Sequence, residues 1–246
     1  MSGGEAESRY QRQILVEGIG EEGQRRIRAA RVAVVGLGAL GCVVADQMSR
    51  AGVGAIRLID PDIPEISNLQ RQVLIDEEDV RQGRPKALAA AARIGRANSE
   101  VSVEAHVTRL LPHNALALLG GVDLVLDGTD NFEARYLVNE TCVRLKIPWV
   151  FGGVLGASGM SMAVVPGGPC LRCALGPAPQ AGTVPTTAQV GVLASIVGMI
   201  GSVEVARGLK ILVGRKLEPR LVVFDLWSES FRTISIRKVE GCPVCG

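Results

Sequence analysis

Apolar residues fall along this chain in two rhythms. Short unbroken runs such as Val32-Ala33-Val34-Val35 suit strands buried on both faces, and longer stretches of mixed polarity suit helices. That first run is followed by Gly36-Leu37-Gly38-Ala39-Leu40-Gly41, a helix-like segment to Arg50, a Gly-rich turn at Gly52–Gly54 and a second strand ending on Asp60. Upstream, residues 1–8 read as disordered, Arg9–Leu15 as a basic amphipathic start and Glu21–Ala30 as a polar helix. Downstream, two prolines make Pro61–Gln72 a loop closing in a short helical turn, with Ser67 as a candidate cap. Gly83-Arg84-Pro85-Lys86 opens a helix, with Pro85 in its first turn, that runs to about Ala97; then come a strand at Val101–Val107, a helix at Pro112–Leu119 and a buried strand at Val122–Leu126. Phe132–Leu145 is helical, Ile147–Val154 is a strand, and Met160–Val165 is expected antiparallel on the sheet's edge. Gly176–Ala188 is a Pro- and Thr-rich loop, and Gln189–Val213 a long apolar helix. Leu221–Asp225 and Phe231–Ile236 close the chain as a hairpin-like strand pair.

Strands alternating with helices predict an α/β fold, a Rossmann-like, mostly parallel sheet flanked by helices, with antiparallel C-terminal strands. With 47% hydrophobic but only 3% aromatic residues, the core must be built from Val, Leu, Ile and Ala. A net charge of +2 gives no electrostatic footprint for nucleic acid. The longest uncharged run, Ala188–Val203, is shorter than the ~20 residues a membrane span needs, and no signal peptide is visible. A soluble, cytoplasmic protein is expected, in which six cysteines serve as ligands or thiols more readily than as disulfides.

The chemistry gathers where predicted strands end. Gly36, Gly38 and Gly41 form a GxGxxG turn between strand and helix, where backbone N–H groups and a helix N-terminus can receive phosphate. Asp60, nineteen residues past Gly41, is placed to bind a ribose hydroxyl. Asn68 and Arg71 lie beyond the second strand and could face the same phosphates. Lys86 opens a helix, where the dipole disfavours a cation unless an anion lies between. Asp127-Gly128-Thr129-Asp130-Asn131 offers two carboxylates and an amide suited to Mg²⁺, with Asp130 or Thr129 as alternative helix caps. Cys170-Leu171-Arg172-Cys173 and Cys242-Pro243-Val244-Cys245 make a four-thiolate set fit for a closed, structural Zn²⁺ site; a redox dithiol is the rival. Cys42 and Cys142 fall on helices and read as small buried hydrophobes.

Taken together, RYQRQ, GLGALG, SNLQRQ, GRPK, DGTDN and the two C-x-x-C pairs resemble the ThiF/MoeB/HesA family, relatives of ubiquitin-activating enzymes. The resemblance runs from Arg9 to the last residue, closest to MoeB-type members. It implies an ATP-dependent adenylyltransferase that activates the C-terminal Gly-Gly of a ubiquitin-like sulfur carrier, MoaD-like or alternatively ThiS-like. It divides the chain into an arm and helix over residues 1–30 and a single ATP-binding adenylation domain over residues 31–246. By resemblance, Gly36, Gly38, Ala39, Gly41, Asp60, Asp62, Asn68, Arg71, Lys86, Asp130 and Asn131 bind the nucleotide with Mg²⁺. Asp130, Arg71 and Lys86 are the implied catalytic residues, joined by Arg12 reaching in from the partner subunit of a homodimer. Ala39 stands where many members carry a third glycine. Thr187 stands where sulfur-transferring members carry a crossover-loop cysteine, so a thiol-dependent step is not expected while adenylation is untouched. Two readings from other classes are an NAD-dependent oxidoreductase, which leaves Arg71, Lys86, Asp130 and the cysteines without jobs, and a non-catalytic scaffold. Neither His106 nor His113 stands out as a hydride-acceptor partner.

Overall fold

The computed structural model describes residues 3–180 and 182–246. Helices α1 (Gly3–Ile14) and α2 (Gly20–Ala29) deliver the chain into β1 (Arg31–Val35). Then follow α3 (Ala39–Arg50), β2 (Ala55–Ile59), a 3-10 turn (Ile66–Asn68), α4 (Glu77–Arg81), α5 (Lys86–Ala97) and β3 (Ser102–His106). Next come α6 (Ala115–Leu119), β4 (Leu124–Asp127), α7 (Phe132–Leu145), β5 (Trp149–Leu155) and β6 (Ser158–Val164). The chain closes with α8 (Leu171–Leu175), α9 (Thr187–Val190), α10 (Ala194–Leu212), β7 (Arg220–Asp225) and β8 (Ser230–Ser235).

One eight-stranded sheet carries everything, in the order β3-β2-β1-β4-β5-β6-β7-β8. The pairings from β3 through β5 are parallel and those from β5 through β8 antiparallel, as the apolar runs predict. Side chains of β1 alternate between two core layers. Val32 and Val34 join Met48 and Ile94 on one face, and Ala33 and Val35 join Leu119 and Tyr136 on the other. Strand order reverses between β1 and β4, because β1 pairs with β2 on one side and β4 on the other. In open α/β sheets the crevice at such a reversal, beyond the carboxyl ends of the strands, is where ligands bind.

Several expected boundaries move. Gly3–Ile14 is helical, so of the segment expected to be disordered only residues 1 and 2 lie outside the described residues. β6 is antiparallel but interior, since β7 pairs along its far side and β8 forms the edge. The long helix expected over Gln189–Val213 is two helices. Gly191, at φ 83°, ends α9 and its carbonyl accepts from Gly156 N–H at 2.9 Å. The Gly176–Ala188 loop closes into α9 at Thr187, with Ala181 outside the described residues. Pro112–Leu119 is helical only over Ala115–Leu119. The 3-10 turn starts from Glu65, and Asn68 rather than Ser67 completes its cap. No helix of the described residues is long and apolar enough to cross a membrane.

Candidate active site

At the carboxyl end of β1 the chain swings into α3 through Gly36, whose φ of 83° disfavours any side chain. Hydrogen bonds hold this turn from three strands. Gly36 N–H donates to the Ile59 carbonyl at 2.8 Å, Gly128 N–H to the Val35 carbonyl at 2.7 Å, and Leu37 N–H to Asp60 Oδ2 at 2.6 Å. A Cβ on Gly41 would lie 1.8 Å from the Gly36 carbonyl oxygen, so glycine alone lets α3 approach this closely. Gly38 differs, because a Cβ there would meet only the Gly128 carbonyl oxygen at 3.7 Å. Gly38 also begins α3 without a side-chain cap, so the helix's first amides are left unclaimed by a side chain. That is the arrangement a phosphate can use.

Asp60 is 4% exposed and works first as an anchor. Its Oδ2 accepts from Leu37 and its Oδ1 from the Asp62 N–H at 2.8 Å. Burial raises its pKa, and these two amides oppose the rise. Each oxygen keeps a second lone pair for a hydroxyl. Lys86, the first residue of α5, is buried, with Nζ 3.3 Å from Asp62 Oδ2. The anion that a lysine at a helix N-terminus requires is therefore supplied by the chain itself. Asn68 is held by the turn it closes, accepting from Glu65 N–H at 3.2 Å. Arg71 donates to the Ser67 carbonyl at 2.7 Å, and no hydrogen bond among the described residues ties it to the glycine turn. Arg12 is exposed in the last turn of α1 and makes no ion pair among the described residues.

The turn after β4 abuts the glycine turn, where a Cβ on Gly36 would meet the Gly128 carbonyl oxygen at 2.7 Å. Its two acids divide. Asp127 is fully buried, and its Oδ1 accepts from the Thr129 N–H at 2.9 Å and hydroxyl at 2.7 Å. Arg135 Nε stands 3.4 Å from Asp127 Oδ2, and its Nη2 donates to the Thr129 carbonyl at 2.8 Å. Burial raises the Asp127 pKa against the pull of Arg135. Asn131, not Asp130 or Thr129, caps α7 by accepting from Ala134 N–H at 2.8 Å. That leaves Asp130 exposed, accepting only from Asn131 Nδ2 at 3.2 Å. One accessible carboxylate fits Mg²⁺, which keeps its waters and takes one or two protein carboxylates beside phosphates. Arg135 and a buried Glu204 on α10 were not singled out by sequence. The one signal is a glutamate ending an otherwise uncharged run.

At the far end of β6 the four expected cysteines converge. All four Sγ atoms lie within 4.8 Å of one another, with Cys170–Cys242 at 3.8 Å and Cys173–Cys245 at 3.5 Å. Tetrahedral Zn–S bonds of about 2.3 Å place sulfurs about 3.8 Å apart, so the set fits Zn²⁺ with no open position. Burial works against the Cys242 thiolate, but the Cys245 and Val244 amides outweigh it and bring the pKa to about 6. Cys42 and Cys142 are pushed up to about 12 by burial and act as small apolar residues. Thr187 is the first residue of α9, half-buried.

Comparison with known proteins shows the family and the fold. A sulfur carrier protein adenylyltransferase of Thermus thermophilus is 42% identical over 246 residues, covering 97% of this chain and 90% of that protein. The SAMP-activating enzyme E1 of Haloferax volcanii is 40% identical over 240 residues, covering 97% and 88%. Among solved structures, Escherichia coli MccB superposes with a TM-score of 0.84 at 23% identity, over 97% of this chain and 74% of that one, a likeness of fold. The sequence profile of the ThiF family matches residues 10–244, and the chain belongs to the ThiF family.

Proposed function

We propose that this chain is the ATP-dependent adenylyltransferase of a ubiquitin-like sulfur carrier, MoaD-like in the first instance, acting as a homodimer. One observation carries the reading. The glycine turn, the Asp60–Asp62–Lys86 chain and the exposed Asp130 meet where β1, β2 and β4 end. The carrier's terminal glycine carboxylate attacks the α-phosphorus of ATP, the bond to the β-phosphate breaks, and pyrophosphate leaves. That carboxylate is already ionised at pH 7, so no general base is required. The α3 amides and Gly38 cradle phosphate, and Asp60 offers its remaining lone pairs to the ribose. Lys86 turns from Asp62 to the triphosphate, with Arg71 and the partner subunit's Arg12 adding charge. Mg²⁺ held by Asp130 would neutralise charge growing on the phosphates.

Two relatives named for activating such carriers support this reading, each with most of its length covered by this chain. Pyrophosphate exchange into ATP, assayed with MoaD-like and ThiS-like carriers separately, tests it. Mass spectrometry of the carrier should reveal an AMP adduct. Exchange with the ThiS-like carrier alone would reassign the substrate. No exchange with either would count against the activity.

A further inference from the structure

Beneath the Asp127–Asn131 turn lies a buried carboxyl that the adenylation reading leaves without a task. Glu204 projects from α10 and is fully buried, and no side chain among the described residues hydrogen-bonds its carboxyl, which only the Asp127 backbone N–H approaches. It lies against β5 so closely that a Cβ on Gly152 would sit 1.8 Å from its Oε1. The ladder between β4 and β5 ends at Leu126 and Val150, while β4 stays paired to β1 as far as Asp127. Glu204 occupies the side of the β4 tip where the ladder has stopped. It is faced by the Asp127 carboxylate and backbone N–H, by Arg135 from α7, and by Arg207 of its own helix. Beside it Asp127 Oδ2 and Arg135 Nε face each other as an ion pair at 3.4 Å that falls short of hydrogen-bond geometry. Arg207 is drawn away to the Ser161 hydroxyl at 3.5 Å and the Arg220 carbonyl at 3.1 Å. Native interiors leave few polar atoms unpaired, and a cluster of them at one turn marks a place where order serves function more than stability.

We propose that Glu204 is a positioning residue for adenylyl transfer, wedged between Gly152 and Asp127 so that the turn keeps Asp130 at the triphosphate. The inference rests on the adenylation reading for its consequence, and on geometry alone for the contact. Replacing a buried ionisable group by an apolar one of similar volume is often neutral or stabilising, so a purely structural Glu204 would be dispensable. Glu204→Leu should therefore fold and melt no lower than the parent. Its kcat in carrier-driven pyrophosphate exchange should fall by about 10- to 100-fold with KM for carrier unchanged, the cost of a displaced group. Glu204→Gln, which keeps shape and a hydrogen-bonding head, should stay within about 2-fold of the parent. A second reading needs no carrier. The extra thermal shift that Mg²⁺ adds to ATP should vanish in Glu204→Leu and persist in Glu204→Gln, with the shift by ATP in EDTA equal in all three.

Leu and parent alike in kcat and in the Mg²⁺-dependent shift would overturn the proposal, as would Gln losing as much as Leu. Glu204→Met stands in if Leu does not fold, and failure of both to fold assigns Glu204 to stability alone and also overturns it. A parent without exchange, but with the expected pattern of thermal shifts, would remove the adenylation reading and leave the positioning role standing.

Discussion

Asp60, at the end of β2, accepts a 2.6 Å hydrogen bond from the backbone N–H of Leu37, inside the glycine turn. The carboxylate that the sequence marks for a ribose hydroxyl thus also braces the glycine turn. Asp60→Ala removes the acceptor for two amides and leaves Leu37 N–H buried and unpaired. Stability should drop by about 1–3 kcal/mol in urea melts, with ATP binding weakened as well. Unchanged stability with lost ATP binding would mean the carboxylate serves the ribose alone.

Asp130 is exposed and caps nothing, so its loss should not cost stability. Asp130→Ala is expected to melt like the parent while pyrophosphate exchange falls by about 100-fold or more. Retained exchange would count against its metal role.

Thr187 begins α9 on an exposed stretch. Adenylate formation should be the same in Thr187→Ala as in the parent, by mass spectrometry of the carrier. A large loss would give the α9 loop a part in carrier handling.

The cysteine cluster predicts one tightly held zinc per chain, measurable by elemental analysis. Cys242→Ser breaks a set whose sulfurs already stand at tetrahedral spacing. It should release the metal and lower the melting temperature, since a structural metal contributes its binding energy to folding. Zinc retained by the serine variant, or a melting curve indifferent to chelator, would contradict the assignment.

Stability should also carry the mark of Glu204 in its pH dependence. Burial raises its pKa well above the ordinary value, the Asp127 charge adds to this, and Arg135 and Arg207 oppose it. The folded protein therefore holds a proton that the unfolded chain gives up. Stability from this group is whole below the ordinary glutamate value and declines as pH climbs from there to the folded value. Asp127, raised mainly by burial, has the same sign. Glu204→Gln should match the parent near about pH 4 and exceed it near about pH 8 in urea melts. An equal difference at both values would show that Glu204 does not titrate with folding.

Much of the local arrangement around the candidate site was legible because its signals are local. Gly36, Gly38 and Gly41 are set by the spacing of one strand-to-helix turn, and Asp60 by the length of one helix and one strand. The two C-x-x-C pairs announce themselves by composition, although only the fold brings Cys170 beside Cys242. What could not be read was competition among near neighbours. Thr129 and Asp130 were equal candidates to cap α7 until Asp127, buried by its strand, claimed Thr129 and left the cap to Asn131.

Longer-range choices lay further out of reach. Gly191 breaks a helix that periodicity predicts unbroken, because Gly156 from the β5–β6 turn donates to the Gly191 carbonyl and accepts from the Leu193 N–H. β6 became interior only when the β7–β8 hairpin added to its free side. By itself the amino-acid sequence determined the α/β class, the glycine turn between strand and helix, the thiolate set and the family, since each depends on residue types at short, fixed spacing. The tertiary structure alone decided which carboxylate is buried and which is open, and that Glu204 lies under the Asp127–Asn131 turn. Burial and partnership belong to packing between distant segments, and no local pattern encodes them.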